Sequence, residues 1–183
     1  AISIRQPWIW AILFALKRIE NRDWLCSPGL LARALALVGE EILLHASSGC
    51  TRKEVKDALA LMAEIGAMRT GEALSADSAK PVPPRLADLP RGALVARARL
   101  AGVAITSAEG HRWALSAGTR PLGRALGPCL LCGSPKTVGA LLADCPNADP
   151  WAVRGAVGLL LADVSALLAP VPAKGALGFF NVP

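Results

Sequence analysis

Aromatic residues make up only 4% of this 183-residue chain, although 53% of it is hydrophobic. The core must therefore be built mainly from Ala, Leu and other aliphatics, and there is ample apolar material for one. No apolar run reaches the roughly 18 residues needed to cross a bilayer. The stretch Pro7 to Leu16 is too short, and Lys17, Arg18 and Glu20 follow it at once. It lacks a basic leading segment and a convincing cleavage site, so no signal peptide is expected. A cytoplasmic protein without a membrane partner is the expectation. The five cysteines are odd in number and scattered, which excludes a disulfide framework and points to reduced thiols. Gly-Lys-Ser/Thr is missing, as is G-x-G-x-x-G after a strand, so no phosphate loop and no cofactor is expected. Internal repeats are absent as well.

Acidic residues nearly vanish from one long stretch. Between Leu89 and Ala143 the only acid is Glu109, against Arg91, Arg97, Arg99, Arg112, Arg120, Arg124 and Lys136. The net charge is +6 and the pI about 9.4. Arginine grips a phosphate through two parallel donors where lysine offers a point charge. Such a field attracts polyanions and weakens with salt. The alternative is a solvated basic surface that keeps the protein soluble.

Periodicity sets the outline of the fold. Ala1 to Arg5 alternates as a short strand, and Pro7 suits the first turn of a helix. Trp8 to Leu16 is apolar nearly all round, which predicts a buried helix ending near Lys17. Ser27-Pro28-Gly29 predicts a turn, followed by an Ala/Leu-rich stretch. Ile42 to Ala46 reads as a core strand. Thr51-Arg-Lys-Glu54 is a capping box, after which Val55, Leu59, Met62 and Ile65 mark a helical face that Gly66 stops. Gly92 to Leu100 predicts a strand with Arg97 and Arg99 on one face, and Ala156 to Val164 a central strand. The segment 69–90 reads as a Pro-rich loop, and Thr137 to Leu142 as a helical turn or two. A single domain over 1–183 is expected, with expanded segments near 66–90 and 106–150.

Chemistry concentrates just after the first helix. If the chain becomes extended beyond Lys17, then Arg18, Glu20 and Arg22 share a face while Ile19 enters the core. Glu20 can then fix the Arg22 guanidinium and leave Lys17 free, a preorganised cationic pocket with one acceptor. That arrangement suits a phosphate or a base edge. The alternative is a salt bridge that only pins the turn. Trp8 and Trp10 face apart on a helix, so one is expected in the core and the other as a stacking surface. Trp24 and Trp113 are further candidates for stacking. His45 is expected to be half-buried, and as a lone histidine it supports no catalytic claim. Cys129-Leu-Leu-Cys132-Gly has the spacing of half a zinc site, with His111 and Cys145 the nearest further ligands. No second close pair exists, and free thiols are expected rather than a metal.

Ile2-Ser-Ile-Arg-Gln-Pro-Trp8, followed by Ala15-Leu-Lys17-Arg-Ile-Glu20-Asn-Arg22, closely resembles the opening of ASCH domains. Those begin with a strand, a Gln-Pro-Trp helix start and a G-x-K-x-x-E-x-R signature, whose Gly is Ala15 here. Four later pieces follow the family's order. These are Leu43-Leu-His45-Ala46-Ser47, Leu89-Pro-Arg-Gly-Ala-Leu-Val95, Trp151…Gly155…Gly158, and Pro170-Val-Pro-Ala-Lys174-Gly175. The resemblance implies an α+β fold: a PUA-like β-barrel with flanking helices and a cleft between the first helix and the sheet. It implies that Lys17, Glu20, Arg22, Trp8, His45 and Ser47 bind a ligand there. RNA, single-stranded nucleic acid or a nucleotide-like molecule is the partner it implies.

The chain departs from its relatives in two respects. Some small relatives hydrolyse acetylated cytidine with a Thr nucleophile where this chain has Glu20, and a carboxylate cannot replace that hydroxyl. The family's aromatic-Arg-Gly turn is replaced by a longer connection over Leu25 to Glu41. A binding module is therefore the leading expectation. A ribonuclease or modified-nucleoside hydrolase using Lys17, Glu20 and His45 is the alternative. A protein-interaction domain with Ala/Leu-rich docking surfaces is the third.

Overall fold

A computed structural model describes residues 1–69, 85–115, 128–131, 133 and 148–182. The fold is mixed α+β. Among the described residues six strands form one sheet, in the hydrogen-bonded order β1-β3-β4-β6-β2 with β5 added to β4. They are β1 (Ile2–Ile4), β2 (Ile19–Asn21), β3 (Glu41–Ala46), β4 (Ala93–Thr106), β5 (Arg112–Ala114) and β6 (Val157–Pro172). The helices are α1 (Trp8–Phe14), α2 (Pro28–Ala36) and α3 (Arg52–Arg69). Among the described residues the sheet is not closed into the barrel that the sequence resemblance implies. The chain divides into two compact units, Ala1–Lys17 with Ile42–Ala98 and Val164–Pro183, and Arg18–Glu41 with Arg99–Asp163.

In the first unit β1 runs parallel to β3, with Ile2 opposite Leu44, Ser3 opposite His45 and Ile4 opposite Ala46. Alternation drives Ile2, Ile4, Leu44 and Ala46 into the core. Helix α1 buries Ile9, Trp10, Ala11 and Ile12. It stops earlier than its apolar run predicts, because Leu16 takes a left-handed φ of 55°. Phe14 and Leu16 are consequently exposed, and the Lys17 amide folds back to the Ala11 carbonyl at 3.1 Å.

Helix α3 opens on the expected capping box. The Glu54 amide donates to Thr51 Oγ1 at 3.2 Å, and the Thr51 amide donates to the Glu54 carboxylate at 2.8 Å. Glu54 also accepts from Arg5. The inward face differs from the predicted one: Ala58 and Ile65 are buried whereas Leu59 is exposed. Gly66 does not end the helix, which continues to Arg69.

In the second unit β2 pairs antiparallel with β6, Ile19 opposite Leu160 and Asn21 opposite Gly158. Gly158 is required there, since a Cβ would lie 2.7 Å from the Ile19 side chain. Ser27-Pro28-Gly29 is a helix start rather than a turn. Pro28 lacks an N–H that the first helical turn would leave unsatisfied anyway, and α2 then buries Leu31 and Ala34. β5 returns on β4 through Ser107 to His111, with Gly110 at φ 87°.

The two long strands outrun their predicted lengths, and β4 shows the expected alternation, with Arg97 and Arg99 exposed and Ala98 and Leu100 buried. Of the predicted Pro-rich loop over 69–90, Arg69 still belongs to α3 and Leu86–Asp88 form a short 3-10 turn, while 70–84, like the predicted helical turn at Thr137 to Leu142, lie outside the described residues. Thr51→Ala, which removes the cap of a weakly buried helix, should lower unfolding stability by about 1 kcal/mol. Urea denaturation followed by circular dichroism checks this, and an unchanged midpoint would rule the cap out as a stabilising element.

Candidate functional site

The left-handed turn at Leu16 decides where Lys17 goes. Leu16 turns outward while Lys17 is only 3% exposed. Lysine is almost never buried so far without compensation. Its Nζ lies 5.9 Å from the ring centroid of Trp8, which is half-buried at the start of α1. A desolvated cation over an indole face gains up to about 2 kcal/mol. Trp10, two positions on, is buried, so the two indoles divide as predicted between core and partly open surface.

Glu20 and Arg22 come together in the second unit. They lie on one face of the extended chain, with Arg22 Nη2 3.1 Å from Glu20 Oε1. Glu20 is buried, although Ile19 beside it is buried too, so both faces of β2 are covered. Removing one member of a pair this enclosed leaves a stranded charge, at a cost of about 3–5 kcal/mol. Asn21, which the sequence did not single out, holds the neighbouring loop. Its Nδ2 donates to the Trp151 carbonyl at 2.9 Å, and its Oδ1 accepts from the Val153 amide at 3.0 Å.

His45 is fully buried rather than half-buried, at 2% exposure. Its Nε2 lies 3.0 Å from the Ala173 carbonyl and its Nδ1 3.0 Å from Ser3 Oγ. A carbonyl only accepts, so Nε2 carries a proton and Nδ1 of the neutral tautomer accepts the Ser3 hydroxyl. Phe180 meets the ring edge-on at 5.9 Å. Gly175 closes over the imidazole so tightly that a Cβ would stand 2.6 Å from both His45 Nδ1 and Ser3 Oγ. Ser47 at the end of β3 donates its hydroxyl to the Gly49 carbonyl at 3.2 Å.

The basic field is less open than its sequence suggests. Arg91, Arg97 and Arg99 are exposed, with Arg97 on Ser165 Oγ at 3.0 Å and Arg99 on Asp163 at 2.7 Å. Arg112 is instead buried and paired with Asp149 at 3.0 Å, because β5 turns it inward. Arg120, Arg124 and Lys136 lie outside the described residues. Trp113 is packed with Cys129 in a core cluster and offers no stacking face, while Trp24 remains half-buried.

The Cys129 thiol is buried and accepts the Arg112 and Leu131 amides, each at 3.4 Å. Cys132 and Cys145 lie outside the described residues, among which no group of three metal-binding side chains gathers.

Gly175→Ala should cost about 1–3 kcal/mol, since an added methyl must displace the imidazole or the serine. Thermal or chemical denaturation checks it, and a variant as stable as the parent would show that the chain does not depend on this closure. Compared with models of known protein families and with curated proteins, the chain matches none.

Proposed function

We propose that this chain is an ASCH-type domain of the PUA-like class that binds RNA or a nucleotide-like ligand without cleaving it. The observation that carries this reading is Lys17, buried and held over the half-buried Trp8. A cation beside an aromatic face suits a single-stranded nucleic acid, in which a phosphate and a stackable base lie close together. Stacking contributes about 1–3 kcal/mol per base, and the ammonium anchors the backbone. Within the second unit, Arg22 oriented by Glu20 is by itself a phosphate-type donor set. Exposed Arg91, Arg97 and Arg99 add the long-range attraction.

Support for the PUA-like class comes from the strand, Gln-Pro-Trp helix start and Lys17/Glu20/Arg22 signature, in that order along the chain. The free thiols Cys26, Cys50 and Cys129 fit a reducing compartment such as the cytoplasm. No helix among the described residues is long and apolar enough to cross a membrane. A hydrolase built on Lys17, Glu20 and His45 would need His45 to exchange a proton with substrate. Both of its ring nitrogens are engaged by Ser3 and Ala173 instead.

Two measurements test the proposal. Retention of a labelled single-stranded RNA on a filter should fall steeply with salt, each neutralised phosphate adding about 0.7 to the log–log slope. A flat titration, or no retention at low ionic strength, would count decisively against nucleic acid. Lys17→Ala should weaken RNA affinity by about 1–3 kcal/mol, the usual loss for a charged hydrogen bond to a ligand. RNA cleavage that survives repurification of the parent protein and disappears in Lys17→Ala would replace binder with enzyme.

A further inference from the structure

The first unit contains a cavity of about 210 Å³, lined by Trp10, Leu13 and Phe14 of α1, Val95 of β4, and Ala166 and Leu167 of β6 among others. Phe14 and Ala166 are exposed, so the cavity reaches the surface there. Polar groups on its wall are few and of one kind. Gln6 belongs to the lining, but its Nε2 is committed to the Pro90 carbonyl at 2.9 Å and its Oε1 is closed off from any ligand. What is left among the side chains is the Trp10 indole N–H, which can only donate. No acceptor among the described residues takes it. Cations stand at the margin. Arg97 follows Val95 by one pleat on the same face of β4, about 7 Å further along. Its Nε donates at 3.0 Å to Ser165, the residue before Ala166. Arg91, also exposed, directly follows the lining residue Pro90. Asp88 and Asp163, the acids nearest the lining in sequence, are each paired already, with Arg85 and Arg99.

We propose that this cavity binds a medium-chain fatty acid, its alkyl chain against the apolar wall and its carboxylate at the margin, facing the Trp10 N–H and the charge of Arg97. Size sets the chain length. A dry cavity of about 150 Å³ holds one benzene, so this one holds roughly eight carbon atoms. The polar inventory sets the head group. A ligand here must bring acceptors to a donor and to cations, and must bring no donor, because no reachable side chain on the wall accepts one. A carboxylate meets both conditions, whereas an ammonium group fails both. A ligand with polar atoms spread over its whole length would strand them along the wall, which an alkyl chain does not. Trp8 and Lys17 are not part of this lining, so the inference does not rest on the nucleic-acid reading.

Isothermal titration calorimetry of the whole chain at neutral pH, with butanoate, hexanoate, octanoate, decanoate and octylammonium, tests this. From butanoate to octanoate each methylene should tighten binding about 4-fold, the equivalent of about 0.8 kcal/mol. Decanoate should gain less than about 4-fold over octanoate, because its last carbons no longer find wall. Octylammonium should bind at least about 10-fold more weakly than octanoate, since the cations at the margin repel it. Arg97→Gln, at an exposed position that leaves the core untouched, should weaken octanoate at least about 5-fold without weakening octylammonium. Leu13→Trp, which fills the cavity from α1, should abolish octanoate binding. Should Leu13→Trp not fold, the head-group comparison in the parent and in Arg97→Gln still decides. The proposal is overturned if octanoate does not bind at millimolar concentration, or if affinity is indifferent to chain length. It is overturned equally if octylammonium binds as well as octanoate, if Arg97→Gln changes nothing, or if folded Leu13→Trp keeps its octanoate affinity.

Discussion

A buried imidazole must find partners for both of its nitrogens, and in the first unit this demand joins segments far apart in sequence. His45 on β3 takes the Ser3 hydroxyl from β1 and the Ala173 carbonyl from the chain beyond β6. The close approach this needs is possible only because residue 175 is glycine. Around the same place the Ala1 nitrogen donates to the Phe180 carbonyl at 2.7 Å, and Ile2 bridges to Phe179. The opening and closing segments of this unit are thus held together by part-buried polar groups. Each such bond contributes about 0.5–1.5 kcal/mol, and leaving one unmade costs more than making it gains.

Charge follows a similar logic. Lys17, Glu20 and Arg112 are all withdrawn from solvent, and each is tied to a particular neighbour: Trp8, Arg22 and Asp149 respectively. Enclosed charges of this kind contribute little net stability, because desolvation offsets much of the attraction. What they supply is orientation. A guanidinium braced by a carboxylate, or an ammonium fixed above an indole, has already lost most of its side-chain freedom in the folded chain. The exposed arginines of β4 have the opposite setting, at the surface where salt screens them, with Arg97 on Ser165 and Arg99 on Asp163.

Elements with a strong local cause were legible in the sequence: β1, β3, the capping box of α3, and the alternation that exposes Arg97 and Arg99. The division of Trp8 from Trp10 and the Glu20–Arg22 pair were legible too, since both follow from the repeat of a helix or a strand. Errors arose where a local signal met a tertiary one. Ser27-Pro28-Gly29 carries turn chemistry, yet Pro28 is equally suited to begin a helix. Leu59 belongs to the apolar set of α3 by spacing, yet the surface offered to that helix meets Ala58 and Ile65.

Periodicity and residue chemistry alone therefore determined which elements form and which side chains share a face, because both depend on neighbours a few positions away. Only the tertiary structure decided what each functional group meets. It turned Lys17 inward through the left-handed Leu16, and it enclosed His45 beneath Gly175. It drew Arg112 out of the basic field to pair with Asp149, and it buried Gln6 Oε1 without a donor among the described residues. Those outcomes depend on partners far along the chain, and no local pattern encodes the distance between such groups.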